Sequence, residues 1–145
     1  MEKNCLIKAI RQELNENLKL IPAKRSQVQD IIKELRNHKV LMLFPVRFIN
    51  IGYNQYFGYL YSSYTEDQRK CLHIIHERMR IGDEIVVGFE KDIQNSITQG
   101  ISKDPFVTYG NLLSDVLNNY ETIEISIKNF LKGNIDEVLK LNSIF

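Results

Sequence analysis

Tryptophan is absent from this 145-residue chain, and alanine and cysteine each occur only twice, as Ala9 and Ala23 and as Cys5 and Cys71. Two cysteines do not build a disulfide framework, so they fit a reducing, cytoplasmic setting. Neither sign of charge is in excess: 19 basic residues against 18 acidic leave a net charge of +1. That balance disfavours a polybasic nucleic-acid arm and an acidic mimic of DNA alike. Long apolar runs are missing too. The longest, Val40 to Val46, is far short of the roughly 20 residues a membrane span needs. Met1 to Leu20 is broken by Glu2, Lys3, Lys8, Arg11, Glu13 and Glu16, so it lacks the core of a secretory leader. Among motifs there is no G-x-x-x-x-G-K, G-x-G-x-x-G, G-x-S-x-G or C-x-x-C. Most catalytic classes lose their usual signature, and the reading assigns no cofactor, no metal and no membrane partner.

Isoleucine and asparagine are what the chain has in quantity, 19 and 13 residues. With so little alanine, that usage points to an AT-rich genome: a low-GC bacterium, a virus or phage, an organelle or a parasite. A hydrophobic fraction of 43% and a charged fraction of 26% are those of an ordinary globule. The length fits one domain over residues 1–145, large enough to bury a core without a staple.

Periodicity divides the chain. Leu6, Ile7, Ile10, Leu14 and Leu18 recur at helical spacing, and Ile21-Pro22 should end that helix. Leu18 to Ile21 has the makings of a short strand. Ser26 reads as the N-cap of a second helix carrying Val28, Ile31, Ile32 and Leu35. Val40 to Ile49 then reads as a strand with an edge or bulge at Pro45, Asn50 to Gln55 as a turn, and Tyr56 to Tyr64 as an aromatic strand. Thr65-Glu66-Asp67 opens a helix that should stop at Ile81-Gly82-Asp83, followed by a strand at Glu84 to Phe89. Gly100 to Pro105 is the best loop. A helix begins at Asn111, but Glu121 to Phe130 carries both the alternation of a strand and the spacing of a helix. Asn134 with Glu137 resembles a capping box before a last short helix. The expected fold is therefore α+β: an antiparallel sheet of three to four strands, ferredoxin-like βαββαβ if the short first strand forms, with helices on one face and at both ends. Its core would span about 18–90 and a helical extension about 106–145.

Two constellations carry chemistry. On a regular strand Tyr53, Phe57, Tyr59 and Tyr61 share one face, as a platform that could stack bases. The stretch Gln55-Tyr56-Phe57-Gly58-Tyr59-Leu60 partly resembles the RNP1 motif of RNA-recognition domains, matching its aromatic-glycine-aromatic-aliphatic core at Phe57 to Leu60. It departs from the motif at Gln55, Tyr56 and Ser62, and no aromatic RNP2 lies in Leu18 to Pro22. That resemblance implies single-stranded RNA binding; the plainer alternative is that the rings pack a core or a dimer face. The second constellation is a helical stripe of Arg69, His73, His76 and Arg80 within about 60°, suited to phosphates or an acidic partner, or simply a solvated face. Arg69 and His76 also resemble the R-x(4–6)-H pattern of HEPN-type ribonucleases, whose sites sit in all-helical folds; Lys70 after the arginine and the expected strands depart from it. Cys71, His73 and His76 do not form a known metal-binding pattern.

Three functions follow as expectations. The first is a non-enzymatic cytosolic protein-interaction module, self-associating or with an unidentified protein partner, such as a mobile-element or viral accessory or inhibitor protein. The second is a single-stranded RNA or nucleotide binder with Phe57, Tyr59 and Tyr61 stacking and Arg47, Arg69 and Arg80 meeting phosphates, His73 and His76 completing the basic stripe. The third is a small ribonuclease using His73 or His76. Buried tyrosines would favour the first, and a shared exposed groove the second or third.

Overall fold

The computed structural model describes residues 3–41, 44–101 and 103–144. It contains no strand among the described residues, so the expected α+β sheet, ferredoxin-like or otherwise, is overturned: the protein is helical. Three long helices make the body, α1 (Lys3–Arg36), α4 (Glu66–Gln99) and α5 (Pro105–Leu131). Between α1 and α4 the chain passes through α2 (Ile51–Gln55), a 3-10 turn at Phe57–Tyr59 and α3 (Leu60–Ser63). The short α6 (Ile135–Leu141) follows α5.

Cross-contacts fix the directions. Glu13 meets His76 and Lys24 meets Asp83, so α1 and α4 run parallel. Arg11 bonds the Leu131 carbonyl and Arg25 reaches Glu124, so α5 runs antiparallel to α1. Parallel neighbours demand a long return, and the described residues between them supply it, with α2 and α3 against α1 and α3 also against α4. At 1.5 Å per residue the 34-residue helices are about 50 Å long.

Each miss has a local cause. Pro22 sits inside α1 without ending it: it is exposed on the outer face, while Ile21, Lys24 and Val28 on either side are buried against the body. The packing of that face outweighs the lost hydrogen bond. Leu18 to Ile21 and Ser26 are therefore mid-helix. Gly82 reads as a stop but is a contact point, because a Cβ there would meet Asn119 Nδ2 at 3.3 Å and Tyr120 Cε1 at 3.4 Å. The run Glu84 to Phe89 continues α4, with Val86 and Phe89 buried three apart. Glu121 to Phe130 resolves as helix: Ile123, Ile127 and Phe130 are buried and Ile125 faces out. Thr65 does cap α4, accepting from the Gln68 amide while the Gln68 side chain accepts from Thr65. Asn134, by contrast, makes no side-chain cap bond.

The expected strand at 40–49, of which residues 42 and 43 lie outside the described residues, is instead irregular over 44–50, without a strand partner among the described residues. Backbone groups of Val46, Phe48 and Ile49 are met by side chains of the long helices. Asn17 donates to the Ile49 carbonyl at 2.8 Å and accepts from the Ile49 amide at 2.7 Å. Lys24 donates to the Val46 carbonyl, and Asp83 accepts from the Phe48 amide at 2.8 Å. Buried peptide groups must be paired, and here helix side chains replace the ladder.

Candidate functional site

The aromatic segment 51–61 is held against α1 by one carboxylate. Glu13 accepts from the amides of Gly52 at 2.6 Å and Tyr53 at 3.2 Å, capping the start of α2 from across the fold. A Cβ at Gly52 would lie 2.7 Å from Glu13 Oε2, so this position admits glycine only because the carboxylate comes so close. Burial pushes Glu13 upward, but nearby His76 and the two amides outweigh it, and its net position is below the ordinary carboxylate value.

From that anchor the segment turns its rings outward and sideways. Tyr53 is buried, stacked on His76 at 3.7 Å with an interplanar angle of 11°. It meets Phe57 edge to face at 5.8 Å. Phe57, Tyr59 and Tyr61 are 59%, 53% and 81% exposed, so the aromatics are not a core. They are not a strand face either: a helical turn replaces the two-residue period, and Tyr59 does not line the cleft with the other two.

Tyr53, Phe57, Leu60 and Tyr61 form one wall of an open cleft of about 560 Å³. The first two turns of α4 form the other, with Glu66, Arg69, Lys70 and His73. Arg69 is oriented twice: its Nη1 donates to the Tyr64 carbonyl at 2.7 Å, and its guanidinium lies 4.1 Å from the centre of the Tyr61 ring. One donor is spent inward, leaving the rest of the fork free. Lys70 makes only a 3.9 Å contact with Glu66, a surface pair of little strength.

Of the residues singled out in the sequence, the cleft gathers Phe57, Tyr61, Arg69 and His73, and Arg47 does not line it. Tyr59 lies outside it. Arg80 is committed along its own helix, to Glu77 and, at 2.8 Å, to Glu84, and these two carboxylates raise its already high pKa. His76 is buried beneath Tyr53, its Nδ1 2.8 Å from the Leu72 carbonyl. Cys71 lies buried beside α6, its Sγ 3.7 Å from the Ile135 carbonyl; burial, with the charges of Asp67 and Asp136, pushes the thiol up to about 11. No group of three or more histidine, cysteine or acidic side chains converges for a metal among the described residues.

Glu66 and Lys70 are cleft residues to which the sequence pattern assigns no binding role, Leu60 enters only as the aliphatic position of the RNP1 resemblance, and Tyr53 only as a strand-face ring. Glu13, Asn17 and Lys24 were missed entirely. A signal for them exists: all three fall on the same helical face as Leu6, Ile10, Ile21 and Val28, and a charged side chain on a core stripe needs a partner.

The chain matches no family model, no curated protein and no solved structure in comparisons with known proteins. No helix among the described residues is long and apolar enough to cross a membrane.

Proposed function

We propose that this protein binds a nucleotide or a single-stranded RNA segment in the cleft between residues 53–61 and the start of α4. The observation that carries the reading is the meeting of two exposed rings, Phe57 and Tyr61, with Arg69, Lys70 and His73 around one concavity. Rings of this kind stack bases at about 1–3 kcal/mol each, and the cations meet phosphate. The volume falls within the roughly 300–1,000 Å³ of small-ligand sites. A protein-interaction module built on the tyrosines would be better served by a flat face than by a cleft with its cations at the rim.

Cleavage is the less favoured chemistry. The helical fold does remove one difference from the HEPN pattern, since no strands surround Arg69 and His76 among the described residues. Burial of His76 under Tyr53, however, leaves His73 as the one histidine in the cleft. Acid and base would both have to come from that single ring or from weaker groups.

Anisotropy of a rhodamine-labelled mixed-sequence single-stranded RNA at about 50 and 200 mM salt tests the reading. Binding should weaken with salt as phosphate contacts release counterions. Tyr61→Ala and Arg69→Ala should each lose about tenfold or more in affinity with unchanged melting temperature. Wild-type affinity in Tyr61→Ala would overturn it, as would a flat titration, which would return the choice to a protein partner. Shortened RNA on a gel of the same samples would replace binding by cleavage.

A further inference from the structure

Behind the aromatic wall lies a histidine with incomplete hydrogen bonding, and we propose that His76 is a proton-operated latch on that wall. The regulation of ligand affinity rests on the reading of the cleft given above; the latch itself does not.

His76 is 8% exposed. Its Nδ1 faces the Leu72 carbonyl at 2.8 Å, and a carbonyl can only accept, so Nδ1 carries the ring's proton. In the neutral ring Nε2 is then a bare lone pair. It is buried, has no hydrogen-bond partner and looks toward Glu13 Oε1 at 3.7 Å. That distance is too long for a hydrogen bond, and a lone pair beside a carboxylate is repulsive. One added proton reverses every sign at once. Nε2 becomes a donor aimed at an anion, and the Tyr53 face stacked at 3.7 Å becomes a cation–π partner.

Glu13 transmits the change. The oxygen that Nε2 faces also accepts from the Tyr53 amide, and its twin accepts from Gly52. Fastening Glu13 therefore fastens the start of α2, and with it the Tyr53 and Phe57 side of the cleft. The groups facing His76 across the packing are Glu13 from α1 and Tyr53 from α2. On α4 itself His73 and Glu77 lie alongside, and the Glu77 charge acts on Tyr53. Histidine as a residue type gains its charge between pH 5 and 8. A proton on Nε2 tightens the wall, and a preorganised wall binds more strongly.

Two arms test this. Without ligand, the melting temperature of wild type should rise relative to His76→Gln by about 3 °C between pH 7.5 and 5.5; a constant difference overturns the latch. Should the variant fail to fold, wild-type amide resonances decide: those of Gly52 and Tyr53 should shift across the same range, and fixed positions overturn it. With ligand, the cleft histidine is first removed as His73→Gln. Affinity for the rhodamine-labelled RNA should then rise about threefold or more from pH 7.5 to 5.5, and the rise should vanish in the His73→Gln, His76→Gln pair. A flat profile in His73→Gln overturns the coupling. RNA that binds at no pH overturns the cleft reading instead, while the melts and amide shifts still decide the latch.

Discussion

Removing the Asp83 carboxylate should cost more than any surface change in this protein, and the structure says why. Lys24 is 3% exposed and Asp83 is 8% exposed, with Nζ 2.6 Å from Oδ1. The ammonium also donates to the Val46 carbonyl and lies 4.3 Å from the Phe48 ring centre. Burial lowers the lysine, and Asp83 only partly restores it. In Asp83→Asn an acceptor remains for the Phe48 amide, so the loss isolates one effect, a buried ammonium without its counter-charge. Such losses cost about 3–5 kcal/mol, a large part of a typical stability of about 5–15 kcal/mol. Asp83→Ala should cost about 1 kcal/mol more, because the Phe48 amide is then orphaned as well. The double change Lys24→Met, Asp83→Asn removes both charges and leaves chiefly the Val46 carbonyl unpaired. It should therefore be more stable than Asp83→Asn alone, with a coupling of about 2 kcal/mol. Urea denaturation of these three variants and of Lys24→Met, followed by far-ultraviolet circular dichroism at pH 7, gives every term of the comparison. A loss below about 1 kcal/mol in Asp83→Asn, or a double change as damaging as the sum of its parts, would refute the reasoning.

Three further outcomes are expected. Glu13 sits below the ordinary carboxylate value in the fold, so its contribution is complete above the unfolded value of 4.5 and drains away as pH falls through the folded value; wild type should lose stability faster than Glu13→Gln on acidification below pH 4.5, and parallel curves would contradict this. Gly52→Ala should cost about 2 kcal/mol, because its Cβ displaces a carboxylate that serves two amides; an unchanged urea midpoint would show that Glu13 moves aside freely. A thiol reagent at pH 8 should modify the exposed Cys5 at once and Cys71 at least about a hundredfold more slowly, since burial raises that thiol to about 11; rapid reaction of both native thiols would disprove it.

Much of the helical content was legible residue by residue, and the misreadings share one physical origin. Leu6 to Leu18, the Thr65 cap and the loop before Pro105 declare themselves through spacing, side-chain chemistry and fixed dihedrals. Val40 to Ile49 and Tyr56 to Tyr64 look like strands because apolar and aromatic segments usually find a strand to pair with. Asn17, Lys24 and Asp83 take the place of that strand for Val46, Phe48 and Ile49, while Tyr56 to Tyr64 winds into a 3-10 turn and α3, and a one-dimensional pattern holds no sign of a partner that is a side chain on another helix. Gly82 and Pro22 misled for a related reason: each breaks helices by local propensity, and tertiary packing outweighs propensity. The site was half visible. Arg69 and His73 fall on one stripe and do line the cleft, whereas the ring alternation that grouped Tyr59 with Phe57 and Tyr61 belongs to a strand that does not form. His76 shares the stripe, yet only the placement of Tyr53 decides that it is covered.

The stapled segment between α1 and α4 also bears on when the cleft comes into existence. Asn17 meets Ile49 across 32 residues, Phe48 meets Asp83 across 35 and Lys24 meets Asp83 across 59. Closing loops of that length costs entropy that only the finished contacts return, so these bonds form after the neighbouring helices have found each other. A chain emerging from the ribosome has Phe57, Tyr61 and the Glu13 carboxylate that fastens Gly52 and Tyr53 in hand before Asp83 is made, but lacks the staple from Asp83 to Phe48. Full bracing of the segment that leads into the cleft therefore waits for the middle of α4, although both walls of the cleft lie earlier in the chain.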